Sequence, residues 1–239
     1  MQLPNKTNAF IRFIKPLVPE AARIKMRKLH QKIVFKKAIV NFRDHYREIE
    51  NHPKIINDLI YGWGNMGWSS YQNYTYAIIN AAKQTSGPVL ECGSGLSTLI
   101  LGIIAEEKGF KVCTLEHHES WANHVKEHLE KQNIKSVEVC FAPLKSYENF
   151  QWYNTAGVLP EMDFSLVICD GPPHDTKGGR YGLLPVMYKK LADKSIILLD
   201  DYMREEEKLI VKKWQNDFNL EVTECGDNDL YASIVFNKN

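Results

Sequence analysis

The chain has 239 residues, of which 44% are hydrophobic and 25% are charged, and its formal net charge is +1. This composition is typical of a soluble globular protein, and the length suits one large domain or a domain with an arm. No apolar run approaches the roughly 20 residues of a bilayer-spanning helix, which argues against a transmembrane protein. The amino terminus lacks the apolar block and cleavage site of a signal peptide. The five cysteines lie in or beside predicted strands and form no Cys-x-x-Cys pair, which argues for reduced thiols in a cytoplasmic protein.

Positive charge is concentrated near the amino terminus. Residues 1–40 carry ten Lys or Arg residues against the single acid Glu20, which leaves +9 there and about −8 in the remainder. From Glu20 to about Glu50 the apolar residues recur with a helical period. Three interpretations of residues 10–40 stay open: packing on its own chain or a homodimer partner, peripheral contact with an anionic membrane at its inner face, and nucleic-acid binding. We favour them in that order, so nucleic acid is an unlikely partner.

The segment after this helix contains a break, a loop and a second helix. His52-Pro53 marks the break, and a loop of glycine and aromatic residues follows over 61–68. Ser69 or Ser70 is then expected to cap a helix that runs to about Gln84.

Residues 89–98, Val-Leu-Glu-Cys-Gly-Ser-Gly-Leu-Ser-Thr, are the most informative segment of the chain. An apolar run ends in Glu91, two glycines follow, and a helix-like segment begins, which predicts a strand, a tight turn and a helix that hold a nucleoside cofactor. A dinucleotide fingerprint would have a third glycine where Thr98 stands. No Lys or Arg occurs between Lys83 and Lys108. The turn therefore suits a cationic sulfonium cofactor better than a pyrophosphate.

A second carboxylate, Glu116, ends the next apolar run. An acid at this distance from the turn is placed to accept hydrogen bonds from two ribose hydroxyl groups. Glu91 and Glu116 together make the pocket negative, which favours S-adenosyl-L-methionine as the cofactor.

Strands and helices alternate with short links after residue 88, which predicts a mostly parallel α/β sheet covered on both faces. The last two strands have no helix between them and should form a hairpin, which brings the total to seven strands. Strands are predicted near 88–92, 111–116, 136–141, 164–169, 195–199, 220–224 and 230–236. Helices are predicted near 97–107, 119–132, 180–192 and 204–217.

Four segments resemble those of class I S-adenosylmethionine-dependent methyltransferases. They are Leu-Glu-Cys-Gly-Ser-Gly at 90–95, Leu-Glu-His at 115–117, Leu-Val-Ile-Cys-Asp-Gly-Pro-Pro-His at 166–174, and Ile-Leu-Leu-Asp-Asp at 197–201. The resemblance covers residues 70–239 and implies a Rossmann-like sheet with strand order 3-2-1-4-5-7-6 and an antiparallel strand 7. We therefore expect a basic helical arm over residues 1–60 and a methyltransferase domain over residues 61–239.

The resemblance also implies which residues hold the cofactor. Glu91, Gly93 and Gly95 would line its methionine end, Glu116 would hold the ribose, and the segment at Ala142 would lie beside the adenine. The complete set assigned to the cofactor is Glu91, Gly93, Ser94, Gly95, Ser97, Thr98, Glu116, His117, Ala142 and Asp170.

Three aspartates suggest a metal-dependent subgroup. Asp170 ends one predicted strand, and Asp200 and Asp201 end its neighbour, so all three should meet at the ligand crevice. Such carboxylates repel one another unless one is protonated or a cation lies among them, and oxygen ligands favour Mg²⁺ or another hard divalent cation. The pattern resembles metal-dependent O-methyltransferases of the catechol type and those that act on macrolide sugars. This resemblance implies a small polar or carbohydrate acceptor.

The segment after Asp170 supplies candidates for the remaining roles. His174 is the first candidate for the general base and Asp175 the second. Lys177 and Arg180 could hold an acidic or phosphorylated acceptor, although Arg180 could instead simply begin the next helix. A cation on the three aspartates would lower the pKa of the acceptor hydroxyl group.

Two other functions stay open at this point. The first is a nicotinamide-dependent oxidoreductase of Rossmann fold, against which the missing third glycine argues. The second is a catalytically inactive methyltransferase-like binding protein, against which the three aspartates argue.

Overall fold

The computed structural model of the protein describes residues 19–64 and 72–238. A seven-stranded, mostly parallel sheet is flanked by helices, as the strand–helix alternation predicts. Within the described ranges, no helix is both long enough and apolar enough to cross a bilayer.

The helices and strands are bounded as follows. The helices are α1 (Glu20–His45), α2 (Pro53–Trp63), α3 (Gln72–Gln84), α4 (Leu96–Lys108), α5 (Glu119–Lys131), α6 (Leu183–Met187) and α7 (Glu205–Asp217). The strands are β1 (Val89–Cys92), β2 (Val112–Glu116), β3 (Val137–Phe141), β4 (Leu144–Ser146), β5 (Gln151–Tyr153), β6 (Phe164–Cys169), β7 (Leu191–Leu199), β8 (Asn219–Cys225) and β9 (Tyr231–Asn237). Short 3-10 segments cover Tyr46–Asn51, Gly179–Gly182 and Tyr188–Lys190.

The main sheet has the order β3-β2-β1-β6-β7-β9-β8. Strand β9 is antiparallel to both β7 and β8, and the other neighbouring pairs are parallel. Numbered along the chain within this sheet alone, the strands read 3-2-1-4-5-7-6, so the predicted topology is confirmed. The parallel arrangement brings the carboxyl ends of β1, β2, β6 and β7 to one edge, where ligands bind in open α/β sheets.

The local structure differs from the predictions in two respects. The helix predicted over 180–192 is a short α-helix, α6, between the 3-10 segments Gly179–Gly182 and Tyr188–Lys190, and β7 already begins at Leu191. Helix α2 and the separate β4–β5 hairpin were not predicted. The proposed cap at Ser69 or Ser70 lies outside the described residues.

Helix α1 is only partly separate from the body. Its inner side chains Phe35, Ile39 and Phe42 are buried in the same core as β1 and α4. Residues 20–30 of the same helix are exposed apart from Ala22, which is partly exposed. The carboxyl-terminal half of α1 is thus part of the core, and its amino-terminal half extends beyond it.

Candidate functional site

A tight turn at the carboxyl end of β1 forms the centre of the candidate site. Strand β1 ends at Cys92, and α4 begins at Leu96 after the turn Gly93-Ser94-Gly95. Gly93 has a φ of 90°, and a Cβ atom there would lie 3.1 Å from the backbone nitrogen of Gly171. A side chain at this position would therefore be strained and crowded.

Thr98 holds this turn in place. Its hydroxyl group donates to Glu91 Oε2 at 2.6 Å and accepts the backbone N–H of Gly95 at 2.9 Å. The hydroxyl group of Thr114 on β2 donates to the same Glu91 oxygen at 2.8 Å. Thr98 thus links the turn to the carboxylate behind it, from the position where a dinucleotide fingerprint would have glycine.

Glu91 is completely buried, and only one of its carboxylate oxygens is hydrogen-bonded. Oε1 has no hydrogen-bond partner among the described residues. Burial raises the pKa of Glu91 to about 7, although hydrogen bonding with the side chains of Ser97, Thr98 and Thr114 acts in the opposite direction. A buried carboxylate with a free oxygen gains stability from a positive charge nearby.

Glu116 lies on the other side of the turn. Its Oε2 accepts hydrogen bonds from the backbone and side chain of Ser94 at 3.1 and 2.8 Å, and its Oε1 accepts the N–H of His118 at 2.8 Å. Burial by itself would raise the pKa of Glu116, but hydrogen bonds from His117, His118 and Ser94 outweigh it and lower the pKa. Glu116 is therefore an ionised acceptor beside the turn.

The other predicted cofactor residues surround the same crevice. Ser97 is buried in the first turn of α4, and His117 Nδ1 lies 3.2 Å from Glu116 Oε1. The backbone N–H of Ala142 donates to the carbonyl oxygen of Glu116 at 2.7 Å, and that of Asp170 donates to Cys92 at 3.1 Å. The structure thus brings the residues assigned from the sequence to the ends of β1, β2, β3 and β6.

The three predicted aspartates also converge. One carboxylate oxygen from each of Asp170, Asp200 and Asp201 lies within 4.8 Å of the other two. Burial raises the pKa of Asp170, and burial together with the neighbouring Asp170 raises that of Asp200 well above its usual value. The carboxylate cluster formed by these three residues therefore holds protons unless positive charge compensates it.

Arg180 supplies part of that charge. Its side chain is only 2% exposed, and Nη2 lies 2.8 Å from Asp201 Oδ2 and 3.4 Å from Asp170 Oδ1. Nη1 donates to the carbonyl oxygen of Asp200 at 2.6 Å. Burial would lower the pKa of Arg180, but Glu207 and Asp170 outweigh it and raise the pKa. Of the two roles left open for Arg180, these contacts favour the structural one over contact with an acidic acceptor, because they enclose its guanidinium group.

The carboxylate cluster and its neighbours contain more carboxyl groups than guanidinium groups. Two further groups lie at the cluster: Glu207, at 3.6 Å from Arg180 Nη1, and Arg204, at 2.9 Å from Asp201 Oδ2. Four carboxyl groups face two guanidinium groups, so full ionisation leaves two negative charges uncompensated. The Asp170 side chain is 30% exposed and the Asp201 side chain is 17% exposed, so the cluster is accessible from the crevice.

The proposed bases lie in the loop after Asp170. His174 and Asp175 are both exposed, and within the described part of the chain neither is hydrogen-bonded to the carboxylate cluster. Lys177 Nζ donates to the carbonyl oxygen of Glu148 at 3.1 Å. The side chain of His174 is therefore exposed to solvent and is not held by the carboxylate cluster.

Sequence reasoning missed several residues of the site. Trp121 Nε1 on α5 donates to the carbonyl oxygen of Ser94 at 2.8 Å and so supports the turn from the side. The hydroxyl group of Tyr153 is buried and has no hydrogen-bond partner in residues 19–64 and 72–238, and a Cβ atom on Gly171 would lie 2.4 Å from it. Glu207 is the third acidic side chain that pairs with Arg180, after Asp170 and Asp201. None of the three lies within one of the four motif segments, so only the fold reveals their positions.

Comparisons with known proteins agree with this geometry. Residues 90–202 match a family model described as a methyltransferase domain. SAH-bound methyltransferase PaMTH1 from Podospora anserina is 15% identical, with a TM-score of 0.58 over 100% of this chain and 98% of that chain. The tRNA (m1A58) methyltransferase TrmI from Aquifex aeolicus is 18% identical, with a TM-score of 0.52 over 72% and 71%. The N-terminal domain of human METTL16 in complex with SAH is 13% identical, with a TM-score of 0.50 over 77% and 82%.

At these identities the structural likeness establishes the fold. The comparison with curated proteins found no sequence that matches this chain. The family match, by contrast, is made on the sequence itself, and it includes the turn, Glu116 and all three aspartates.

Proposed function

We propose that the chain is a class I S-adenosylmethionine-dependent methyltransferase that methylates a hydroxyl group of a small polar or carbohydrate acceptor, and its match to a methyltransferase-domain model over residues 90–202 supports the first part of this proposal. The observation that carries the proposal is the position of the carboxylate cluster. Asp170 follows β6, which pairs with β1, and its backbone N–H bonds directly to Cys92 at the start of the turn. An acceptor bound at the cluster would therefore lie next to the methionine end of the cofactor.

The turn fits S-adenosyl-L-methionine for electrostatic reasons. The cofactor has a positive sulfonium and an ammonium group, and the carboxylates beside the turn are those of Glu91 and Glu116. The free oxygen of Glu91 lies behind a turn that has no cationic side chain. A pyrophosphate would meet carboxylates here instead of Lys or Arg, which argues against the nicotinamide alternative.

The proposed reaction is a direct displacement. When bound, the cofactor supplies a methyl group activated by the sulfonium. The acceptor oxygen forms a bond to the methyl carbon as the carbon–sulfur bond breaks, and the electron pair stays on sulfur. The hydroxyl proton passes to the imidazole of His174, the proposed base, with Asp175 as the second candidate. The protein's main contribution is to hold the acceptor oxygen about 3 Å from the methyl carbon.

The carboxylate cluster also fits a divalent cation. Its donors are oxygens, the two charges that full ionisation would leave uncompensated match a divalent ion, and Asp170 and Asp201 are partly exposed. We propose that Asp170, Asp200 and Asp201 would hold Mg²⁺ or a similar ion, which lowers the pKa of a coordinated hydroxyl group. Arg180 then stabilises the cluster from its buried side.

Methyl transfer to a panel of hydroxyl acceptors tests the proposal. The panel includes catechols, sugars and glycosides, with amines and RNA as comparison substrates. We expect transfer to a hydroxyl acceptor that requires Asp170. Transfer confined to amines or RNA would contradict O-methylation, and slow turnover with every acceptor would favour the inactive binding protein.

A further inference from the structure

Helix α1 has apolar side chains on two opposite sides. The inner side includes Phe35, Ala38 and Phe42, which are at most 7% exposed and belong to the core. Spacings of three, four and seven residues place four other apolar side chains in one row along the outer side of the helix. This outer row consists of Met26, Leu29, Ile33 and Val40, which are 66%, 61%, 49% and 54% exposed.

Basic side chains border the outer row on both sides. Lys25 and Lys36 follow one side, and Arg23 and Lys37 follow the other, and all four are exposed. No Asp or Glu occurs between Ala21 and Arg43 of the sequence. An apolar stripe between two basic margins is the pattern of a helix that lies in the interface of an anionic bilayer.

The position of α1 brings this pattern close to the cofactor crevice. His45 stacks near His52, whereas Gln31 Nε2 donates to the carbonyl oxygen of Tyr61, so α1 and α2 are antiparallel. The end of α2 contacts α5 through Trp63 and Trp121, and Trp121 bonds to the turn. Residues 20–30 therefore project from the crevice side of the body over about 16 Å.

We infer that the outer row and its basic margins dock on an anionic lipid bilayer. The two positively charged margins would contact the phosphate headgroups of the bilayer, while the apolar outer row between them would contact the acyl chains. The sequence continues the same chemistry, since residues 10–18 read Phe-Ile-Arg-Phe-Ile-Lys-Pro-Leu-Val. This inference is independent of the proposed acceptor.

Vesicle sedimentation of the full-length protein tests the inference. Vesicles of phosphatidylcholine alone are compared with vesicles that also contain phosphatidylglycerol, at low and at high salt. We expect binding that needs the anionic lipid and weakens with salt. Ile33→Glu in the outer row and Lys36→Glu/Lys37→Glu in a margin should each lower the partition coefficient at least about tenfold.

The chain offers matched control variants on α7. Leu209→Glu introduces the same charge at a 54% exposed apolar position, and Lys212→Glu reverses a charge at an exposed lysine. Both should bind vesicles like the wild type, and all variants should retain SAH binding and the wild-type melting temperature. Equal binding to both vesicle types, or undiminished binding by Ile33→Glu, would overturn the inference. So would light scattering that shows Ile33→Glu turning a dimer into a monomer, because the row would then be a contact between copies.

Discussion

Arg180 and Asp201 form the central ion pair of the carboxylate cluster, with Nη2 and Oδ2 2.8 Å apart. The guanidinium group is 2% exposed and also contacts the backbone of Asp170 and Asp200. It therefore joins the ends of β6 and β7, the two strands that carry the cluster. Arg180, on which the cluster depends, lies 10 residues after Asp170 and 21 residues before Asp201.

Replacement of Arg180 is expected to destabilise the protein strongly. Arg180→Met leaves buried carboxylates without their cation and should lower the free energy of unfolding by about 3–5 kcal/mol. Arg204 also pairs with Asp201, but it is 37% exposed, so Arg204→Met should cost at most about 1 kcal/mol. Urea denaturation at neutral pH measures both values. Equal losses in the two variants would contradict the structural role of Arg180.

Asp170→Asn should separate catalysis from cofactor binding. The substitution removes a charge from the open side of the cluster and leaves the backbone bond to Cys92 intact. We expect kcat to fall at least about a hundredfold while the Kd of SAH changes less than about threefold. Asp217→Asn, at the exposed end of α7, is the control and should behave as wild type. If Asp170→Asn loses SAH binding to the same extent as activity, the residue serves the cofactor and not the acceptor.

Glu91 should make the stability of the cofactor-free protein depend on pH. Its carboxyl group has a pKa of about 7 when folded, against a reference value of 4.5. Between these values the unfolded chain is ionised and the folded protein holds the proton, so stability falls as pH rises from about 4.5 to about 7 and then levels off. Relative to Glu91→Gln, the wild type should lose about 3 kcal/mol across this range. Denaturation curves at pH 4.5 and pH 8 measure the difference, and a constant offset between the two proteins would refute it.

Thr98 and Thr114 provide a matched pair for the role of the turn. Each donates one hydrogen bond to Glu91, but only Thr98 also accepts the N–H of Gly95. Thr98→Val should therefore weaken SAH binding about tenfold, whereas Thr114→Val should weaken it much less. Calorimetric titration compares the two variants. Equal effects would show that only the charge state of Glu91 matters.

Binding of a divalent cation to the carboxylate cluster can be tested separately from methyl transfer. Mg²⁺ or Mn²⁺ should raise the melting temperature of the wild type, because it binds the folded cluster and not the unfolded chain. Asp201→Asn should abolish this increase. Mn²⁺ binding followed by electron paramagnetic resonance gives a readout that does not depend on activity. Absence of binding together with activity that survives a chelator would remove the cation from the proposal.

The sequence predicted the strands better than the elements between them. Buried parallel strands are continuous apolar runs, so β6 was predicted with its observed bounds. Helix α2 was missed because Pro53 was interpreted only as a break, although proline is also favoured in the first turn of a helix. The helix predicted after Arg180 is divided between α6 and two 3-10 segments, and it ends where β7 begins at Leu191.

The residues of the site also differ in how far the sequence could predict them. Residues at the ends of strands, such as Glu116 and Asp170, could be predicted because topology dictates where parallel strands end. The enclosure of Arg180 could not, because it depends on how a loop folds back over two strands. Thr98 was correctly placed at the turn, but its double hydrogen bond appears only in three dimensions.

The most direct test of the central claim is calorimetric titration of the purified protein with S-adenosyl-L-methionine, SAH and NAD⁺. The account predicts that the methyl donor and SAH each bind at one site per chain, through the turn and Glu116, and that NAD⁺ gives no heat. Binding of NAD⁺ without binding of either sulfur compound would contradict it.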